Sequence, residues 1–445
     1  MVLVNAGEEV DVLTLSAPRI LTGEADLSPG WVTISSGTVT ACGRGPAPAG
    51  PTVHLTEGLL APGLIDAQVN GAFGIDLADA DDAGWEKVAR GLLAGGVTAF
   101  VPTVITAPVE DLVAFLRSYT GRHEHLQSLP RAARSLGVHV EGPFLSARRR
   151  GAHRECCLRD PAPREIDALL EAAGPGTLRY LTLAPERSGG PQAVSRLVEA
   201  GVQVSVGHSD ATGEQTLRAL DAGADLITHL YNAQSPLHHR TGGVVGTALA
   251  DDRVTCGLIV DGHHVSPSAV RIAFRAAPGR IMLVTDAVAA FGMPPGRYVL
   301  GGQGFTVSPG QVPMRDDGAI AGGAGRLDEA IALAVRAGVD LREAVEAATR
   351  VPARALGARE AGLIAPGLVA DLVWLAPEGD LPVRARATWR AGELVQGAQR
   401  VPPAVGPGPA PGAERQAERQ AEREAEREAV RKAEHGRGCV PDDLP

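Results

Sequence analysis

The sequence predicts an α/β protein: a (β/α)8 TIM-type barrel carrying a small β-sandwich domain built from both chain ends. Three observations predict it. Between residues 61 and 356, eight short apolar runs alternate with segments rich in Ala, Leu, Glu and Arg, the pattern of repeated strand-then-helix units. Both ends instead show short β-rich runs broken by Pro-Gly and Ser-Gly turns. Finally, several of the eight apolar runs close on polar residues of the types that do chemistry, as a barrel mouth requires.

The expected barrel strands are Leu64–Val69, Val97–Val104, Gly137–Glu141, Leu178–Leu183, Gln203–Gly207, Asp225–His229, Val254–Val260 and Ile281–Thr285. Helices are expected between them, for example over Asp82–Leu93 and Glu165–Ala173. An open doubly wound sheet is the competing architecture, but no GxGxxG or GxxxxGK[ST] follows a strand, so nucleotide-binding folds gain no support. Residues 1–60, with strands at Val10–Leu15, Trp31–Ser35 and Thr38–Ala41, are expected to combine with 357–398, with strands at Asp371–Leu375, Ala385–Trp389 and Glu393–Gln396. Residues 399–445 start as a Pro/Gly linker and continue as AERQAERQAEREAERE, a charged repeat without an apolar stripe. That composition suits a solvated helix or a disordered tail, not a coiled coil.

The chain has 445 residues, of which 44% are hydrophobic and only 3% aromatic. A large core is therefore available, and Ala, Val and Leu must fill it. The net charge of −10 argues against general nucleic-acid binding, which needs clustered cations. It leaves room for a small anionic substrate. The five cysteines form no CxxC pair, and two of them, Cys156 and Cys157, are adjacent. The first residues lack a basic start and apolar run, and no long apolar stretch spans a bilayer, so a cytoplasmic protein without a membrane segment is expected.

In a parallel barrel, residues at the carboxyl ends of strands converge on one mouth. Here those ends read His139-Val140-Glu141, Gly207-His208, Thr228-His229 and Thr285-Asp286. Glu141, His208 and His229 form a His₂Glu set that leaves coordination positions open on a catalytic metal. Nitrogen donors with one carboxylate suit zinc, and also iron or cobalt. Any one of these histidines alone could equally be a hydrogen-bonded structural residue; three at converging positions point to a common purpose. Asp286 could carry a proton between water and a leaving amine, or cap a helix. His153 and Arg240 lie in loops over the mouth, and an arginine fork matches a phosphate. The Arg148–Arg150 run is also compatible with a merely solvated surface.

The segments APGLIDAQVNGAFGIDL (61–77), HVEGPF (139–144), GHSDAT (207–212), THLYNAQSPLHHRTGG (228–243) and LVTDAVAA (283–290) follow one another in this order. With them the chain resembles the N-acetylglucosamine-6-phosphate deacetylases of the amidohydrolase superfamily, from about residue 55 to 398. The resemblance implies hydrolysis of the N-acetyl group of a phosphorylated amino sugar, with Glu141, His208 and His229 as ligands of one divalent metal ion per subunit. It implies Asp286 as proton carrier and His153 as the group that polarises the acetyl carbonyl. Ala152, Asn232, Ala233, Asp261 and His264 fall at substrate-contact positions. Arg240 resembles a phosphate-binding arginine that this family can supply across a homodimer interface. Where two-metal relatives carry His-x-His, this chain has Gln68-Val69-Asn70, so a single-metal site is expected. Ile320-Ala321-Gly322-Gly323-Ala324 stands where the family has a Leu-Ser/Ala-Gly-Ser segment at the substrate. The glycines keep backbone donors but remove side-chain contacts, which leaves fine substrate preference open. The rival readings are a deacetylase of another N-acetylated amino sugar or its phosphate, and a non-catalytic barrel scaffold.

Overall fold

The structure, a computed structural model, describes residues 12–395. Val10, Gln396, the linker and the charged repeat lie outside the described residues.

Eight parallel strands form the barrel: β1 (Leu64–Val69), β2 (Val97–Ile105), β3 (Val138–Glu141), β4 (Leu178–Leu183), β5 (Gln203–Val206), β6 (Leu226–Ile227), β7 (Thr255–Ile259) and β8 (Ile281–Val284). All nine residues of β2 are buried, as expected of a strand covered on both faces. Side chains alternate between two cores. Ile65, Ala67, Ala99, Val101, Tyr180, Leu226, Ile259, Met282 and Val284 form one cluster. The intervening Leu64, Phe100, Val138, Val140, Leu181, Val204 and Leu258 pack in another, with helix residues such as Trp85, Leu112, Ile166 and Val270. The two-residue period of a strand thus separates the barrel interior from its helical jacket.

The ring closes between β8 and β1 partly through a side chain. Val69 bridges Ala287, and the Asn70 N–H donates to the Ala287 carbonyl at 2.7 Å. Lower down, the buried Asp66 carboxylate accepts from Thr285 N (3.1 Å) and Thr285 Oγ1 (2.6 Å). Burial, opposed by these bonds, lifts the Asp66 carboxyl to about 6.

The helices begin where the sequence offers caps. Asp81 accepts from Gly84 N at 2.8 Å ahead of the helix Asp82–Leu92, and Thr212 and Gln215 form a reciprocal capping box for Gly213–Asp221. The expected strand Asp225–His229 is shorter than predicted. It ends at Ile227 because the chain then turns out of the extended region, with φ of 32° at His229 and 78° at Tyr231.

Both chain ends contribute to the remaining sheets. Leu59–Pro62 pairs antiparallel with Leu372–Glu378 inside a six-stranded sheet, and Ile20–Leu21 joins its other side in parallel. A four-stranded sheet of Thr38–Arg44, Gly30–Ser35, Val12–Ala17 and Thr52–His54 shares a core with it through Leu15, Val32, Ile34, Leu60, Leu372 and Trp389. A buried ion network joins the last barrel helix, Leu327–Arg336, to the strand Leu381–Arg390. Arg326 forks onto Asp328 at 2.8 and 2.9 Å, Arg384 pairs with Glu329, and the Ala385 N–H donates to Asp328 at 2.9 Å.

One element was not foreseen. A three-stranded antiparallel sheet, Gly296–Leu300, Gln303–Val307 and Met314–Arg315, is inserted between β8 and the last barrel helix.

Candidate active site

The carboxyl ends of the strands open into a cavity of about 320 Å³ lined by Asn70, Glu141, Ala152, His153, His208, Asn232, Ala233, His264 and Asp286, and by Ile320, Ala321 and Gly322 from the far side. His229 lines it too, while Asp261 and Arg240 lie outside it. Asp261 lies behind it. Its carboxylate accepts from His264 Nδ1 at 2.7 Å and from two backbone N–H groups, and so orients the imidazole. Burial works against ionisation of Asp261, but the His264 bonds outweigh it and hold the group at about 2. Arg240 is exposed and contacts its neighbour His239.

Glu141 ends β3, while His208 and His229 follow β5 and β6. Their donor atoms lie within 4.8 Å of one another. The tautomers follow from the second ring nitrogens. His208 Nδ1 lies 2.8 Å from the Arg149 carbonyl and His229 Nδ1 lies 3.2 Å from the Asn232 carbonyl. A carbonyl only accepts, so both Nδ1 atoms carry the proton and both Nε2 atoms present lone pairs. Those two Nε2 atoms stand 3.0 Å apart, and Glu141 Oε1 is 3.2 and 3.1 Å from them. With both rings neutral, three acceptors converge on one point, an arrangement that fits a cation; burial opposes a charge on His229, but the Glu141 carboxylate beside it raises the imidazole above its ordinary value. The Nδ1 bonds are the outer support that metal-binding imidazoles normally have.

His153 borders this cluster, its ring centroid 4.3 Å from that of His208. The Thr106 backbone N–H donates to His153 Nδ1 at 3.3 Å, which leaves the ring proton on Nε2. Burial, reinforced by the neighbouring His208, holds this imidazole well below its ordinary value, so it is neutral and a donor. Asp286 is half-buried at the edge of the cavity. Burial, and then the Glu141 carboxylate, raise its carboxyl to about 7, a value suited to taking and returning a proton near neutrality.

Backbone strain collects here. Among the non-glycine residues with positive φ, His208 (47°), His229 (32°), Tyr231 (78°), Ala233 (51°) and Asp286 (50°) all belong to the mouth. Such strain persists only where the surroundings enforce it, and it typically marks functional sites.

Two contributions were not read from the sequence. Gln68 Nε2 donates to Asp286 Oδ1 (3.0 Å) and to Glu141 Oε2 (3.3 Å), and Asn70 Nδ2 donates to Asp286 Oδ1 (2.7 Å). Amide protons thus occupy the ground between the two carboxylates that a second cation would otherwise fill. The inserted sheet is the other. Gln303 Nε2 and Arg315 Nη1 donate to the Ala152 carbonyl at 3.0 and 2.6 Å, pinning the loop next to His153, and Leu300 joins the cavity wall.

A parallel barrel whose strand ends gather two imidazoles, a glutamate and a nearby aspartate is the framework of a metal-dependent hydrolase. The chain belongs to the amidohydrolase family, whose model matches residues 59–396. It is 37% identical over 382 residues to the N-acetylgalactosamine-6-phosphate deacetylase of Escherichia coli O157:H7, covering 85% of this chain and 98% of that protein. It is 38% identical over 357 residues to the N-acetylglucosamine-6-phosphate deacetylase of Bos taurus, covering 78% and 85%. Among solved structures it superposes on a variant of the Mycobacterium smegmatis N-acetyl-D-glucosamine-6-phosphate deacetylase in complex with N-acetyl-D-glucosamine-6-phosphate. The TM-score is 0.80 at 38% identity, covering 86% of this chain and 99% of that one. Among the described residues, no helix is long and apolar enough to cross a membrane.

Proposed function

We propose that this chain hydrolyses N-acetyl-D-glucosamine 6-phosphate to acetate and D-glucosamine 6-phosphate. The observation that carries the reading is the convergence of two imidazole nitrogens and a carboxylate beside Asp286 and His153 in one cavity. Glu141, His208 and His229 would hold one divalent cation, with zinc the best match to two nitrogens and a carboxylate, and iron or cobalt also suited. When bound, such an ion supplies Lewis-acid polarisation and makes water acidic enough to lose a proton near neutral pH. His153 donates its Nε2 proton toward the acetyl oxygen as charge develops there. Asp286 takes the proton of the attacking water and then returns it to the amine nitrogen as the C–N bond breaks. The amides of Gln68 and Asn70 hold Asp286 in place for both transfers.

Ala152, Asn232, Ala233, His264, Ile320, Ala321 and Gly322 line the space left for the sugar, with Asp261 steadying His264. Arg240 is the proposed phosphate ligand. Its exposure away from the cavity of its own chain suits delivery across a homodimer interface. A phosphorylated sugar is too polar to cross a bilayer unaided, so the proposed setting is the cytoplasm. As for architecture, we propose a small β domain from 12–60 and 357–395 beside a barrel domain over 61–356.

A second reading, the C4 epimer N-acetylgalactosamine 6-phosphate, is favoured by the Escherichia coli relative, which is covered almost end to end. Acetate release from both phosphorylated epimers and from neutral N-acetylglucosamine, with and without chelator, tests these readings. The larger kcat/KM for the glucosamine ester is expected, abolished by chelation. Arg240→Ala should raise KM for the phosphorylated sugar far more than for the neutral one. Absence of acetate release from every sugar, with no metal taken up, would instead favour a non-catalytic scaffold.

A further inference from the structure

The loop that leaves the catalytic strand β3 carries two adjacent thiols with no part in the hydrolysis. Cys156 and Cys157 sit in a single 3-10 turn, Glu155–Cys157, which begins two residues after His153. Their sulfurs are 3.8 Å apart, Cys156 is exposed and Cys157 is buried. Both ends of the turn are tied to the active site. Upstream, His153 N donates to the Arg150 carbonyl at 3.0 Å, and the Arg150 side chain reaches Glu155 at 3.4 Å. Downstream, Arg159 N donates at 3.2 Å to the carbonyl of Pro143, two residues beyond Glu141.

We propose that Cys156 and Cys157 form a thiol modification site, closed by small disulfide oxidants into a vicinal disulfide that displaces His153. The Cys156 thiolate attacks one sulfur of an oxidant such as oxidised glutathione, breaking its S–S bond and releasing one glutathione thiolate. Cys157, after losing its proton, attacks Cys156 Sγ and expels the second glutathione. Two protein thiols are oxidised and one low-molecular-weight disulfide is reduced to two thiols. The order of attack follows from access: burial pushes the Cys157 thiol up, while Cys156 faces solvent. Arg154 and Arg159 flank the pair and favour an anionic oxidant.

The geometry makes this bond a strained one. Neighbouring Cα atoms are fixed at about 3.8 Å by the peptide, short of the roughly 4.4–6.8 Å that disulfides prefer. Bringing the sulfurs from 3.8 Å to about 2.05 Å twists the intervening peptide out of its turn. The turn bonds Cys157 N to Arg154 O (3.1 Å) and Leu158 N to Glu155 O (3.0 Å) are then lost. A strained, exposed disulfide is also easily reduced, which makes the modification reversible.

The test uses the full-length, metal-loaded protein incubated with oxidised glutathione, then digested for mass spectrometry and assayed in parallel. The peptide containing both cysteines should lose the mass of two hydrogens. Turnover should fall on the order of tenfold to a hundredfold, as expected when a reacting group is misplaced by about 1 Å, and dithiothreitol should restore it. Cys156→Ser should keep its turnover and become insensitive to the oxidant. Cys157→Ala should instead accumulate a glutathione adduct on Cys156. A stable adduct, or no modification, in the unsubstituted chain overturns the site. A vicinal bond that leaves turnover unchanged overturns its coupling to His153.

Discussion

Two buried polar clusters in this molecule have opposite characters. In the Arg326–Asp328–Glu329–Arg384 network, two cations meet two anions, and Asp328 accepts from the Arg326 fork and the Ala385 N–H. In the Glu141–His208–His229 cluster, three acceptors face one another and the ring protons point away to backbone carbonyls. The first balances two cations with two anions and joins the barrel to the six-stranded sheet. The second is complete only with a cation. Burial alone does not separate structure from function here, since both clusters are buried. Whether the charges cancel within the chain does.

The largest effect is expected for Asp286→Asn, which removes the proton carrier but no proposed metal ligand. Acetate release should fall by roughly 10²–10⁴-fold, while metal content per chain, measured by atomic emission, stays the same. Near-normal turnover would remove Asp286 from the mechanism. Next is Asp328→Ala, which strands the buried Arg326 guanidinium. Denaturant unfolding should report a loss of about 3–5 kcal/mol, and a loss below 1 kcal/mol would show that the network is not structural.

A third expectation concerns pH. His139 is fully buried between Thr103 and Thr182 and stacked on Tyr180, and burial depresses it to about 3. The unfolded chain therefore binds a proton, from about pH 6.5 downward, that the folded chain refuses. Stability is full above that pH and falls by about 1.4 kcal/mol per unit as pH drops toward 3. His139→Gln should flatten this limb of a stability–pH curve; an unchanged limb would assign it to other groups. The last expectation is read from metal content. Glu141→Gln replaces a carboxylate of the cluster with an amide and should abolish metal uptake; metal content equal to that of the unsubstituted chain would remove Glu141 from the ligand set.

How far the sequence could be read depended on the range of each signal. Glu141, His208, His229 and Asp286 were legible because each closes an apolar run, and strand ends converge in a barrel. The limits of β6 were less legible, because the left-handed turn at His229 carries no glycine to announce it. The Gln68–Asp286 and Asn70–Asp286 bonds join residues more than two hundred positions apart, and no local pattern encodes them. His208 is oriented by a backbone carbonyl, which every residue has, so Arg149 gave no hint of that role. The inserted sheet escaped notice because its strands are short and carry glycine at Gly296 and Gly304, with Gly301 and Gly302 in the turn between them.

That insert has a consequence for how such an enzyme can change. The groups proposed to break the amide bond stand on or just beyond barrel strands, or in the loop after β3, whereas Leu300, Ile320, Ala321 and Gly322 reach the cavity from a separate hairpin-like excursion. Part of the fit is thus carried by a stretch of chain separate from the barrel loops that hold the reacting groups. Lineages could recut the Ile320–Gly322 edge of the excursion to admit a new sugar, provided Gln303 and Arg315 keep their hold on the loop before His153.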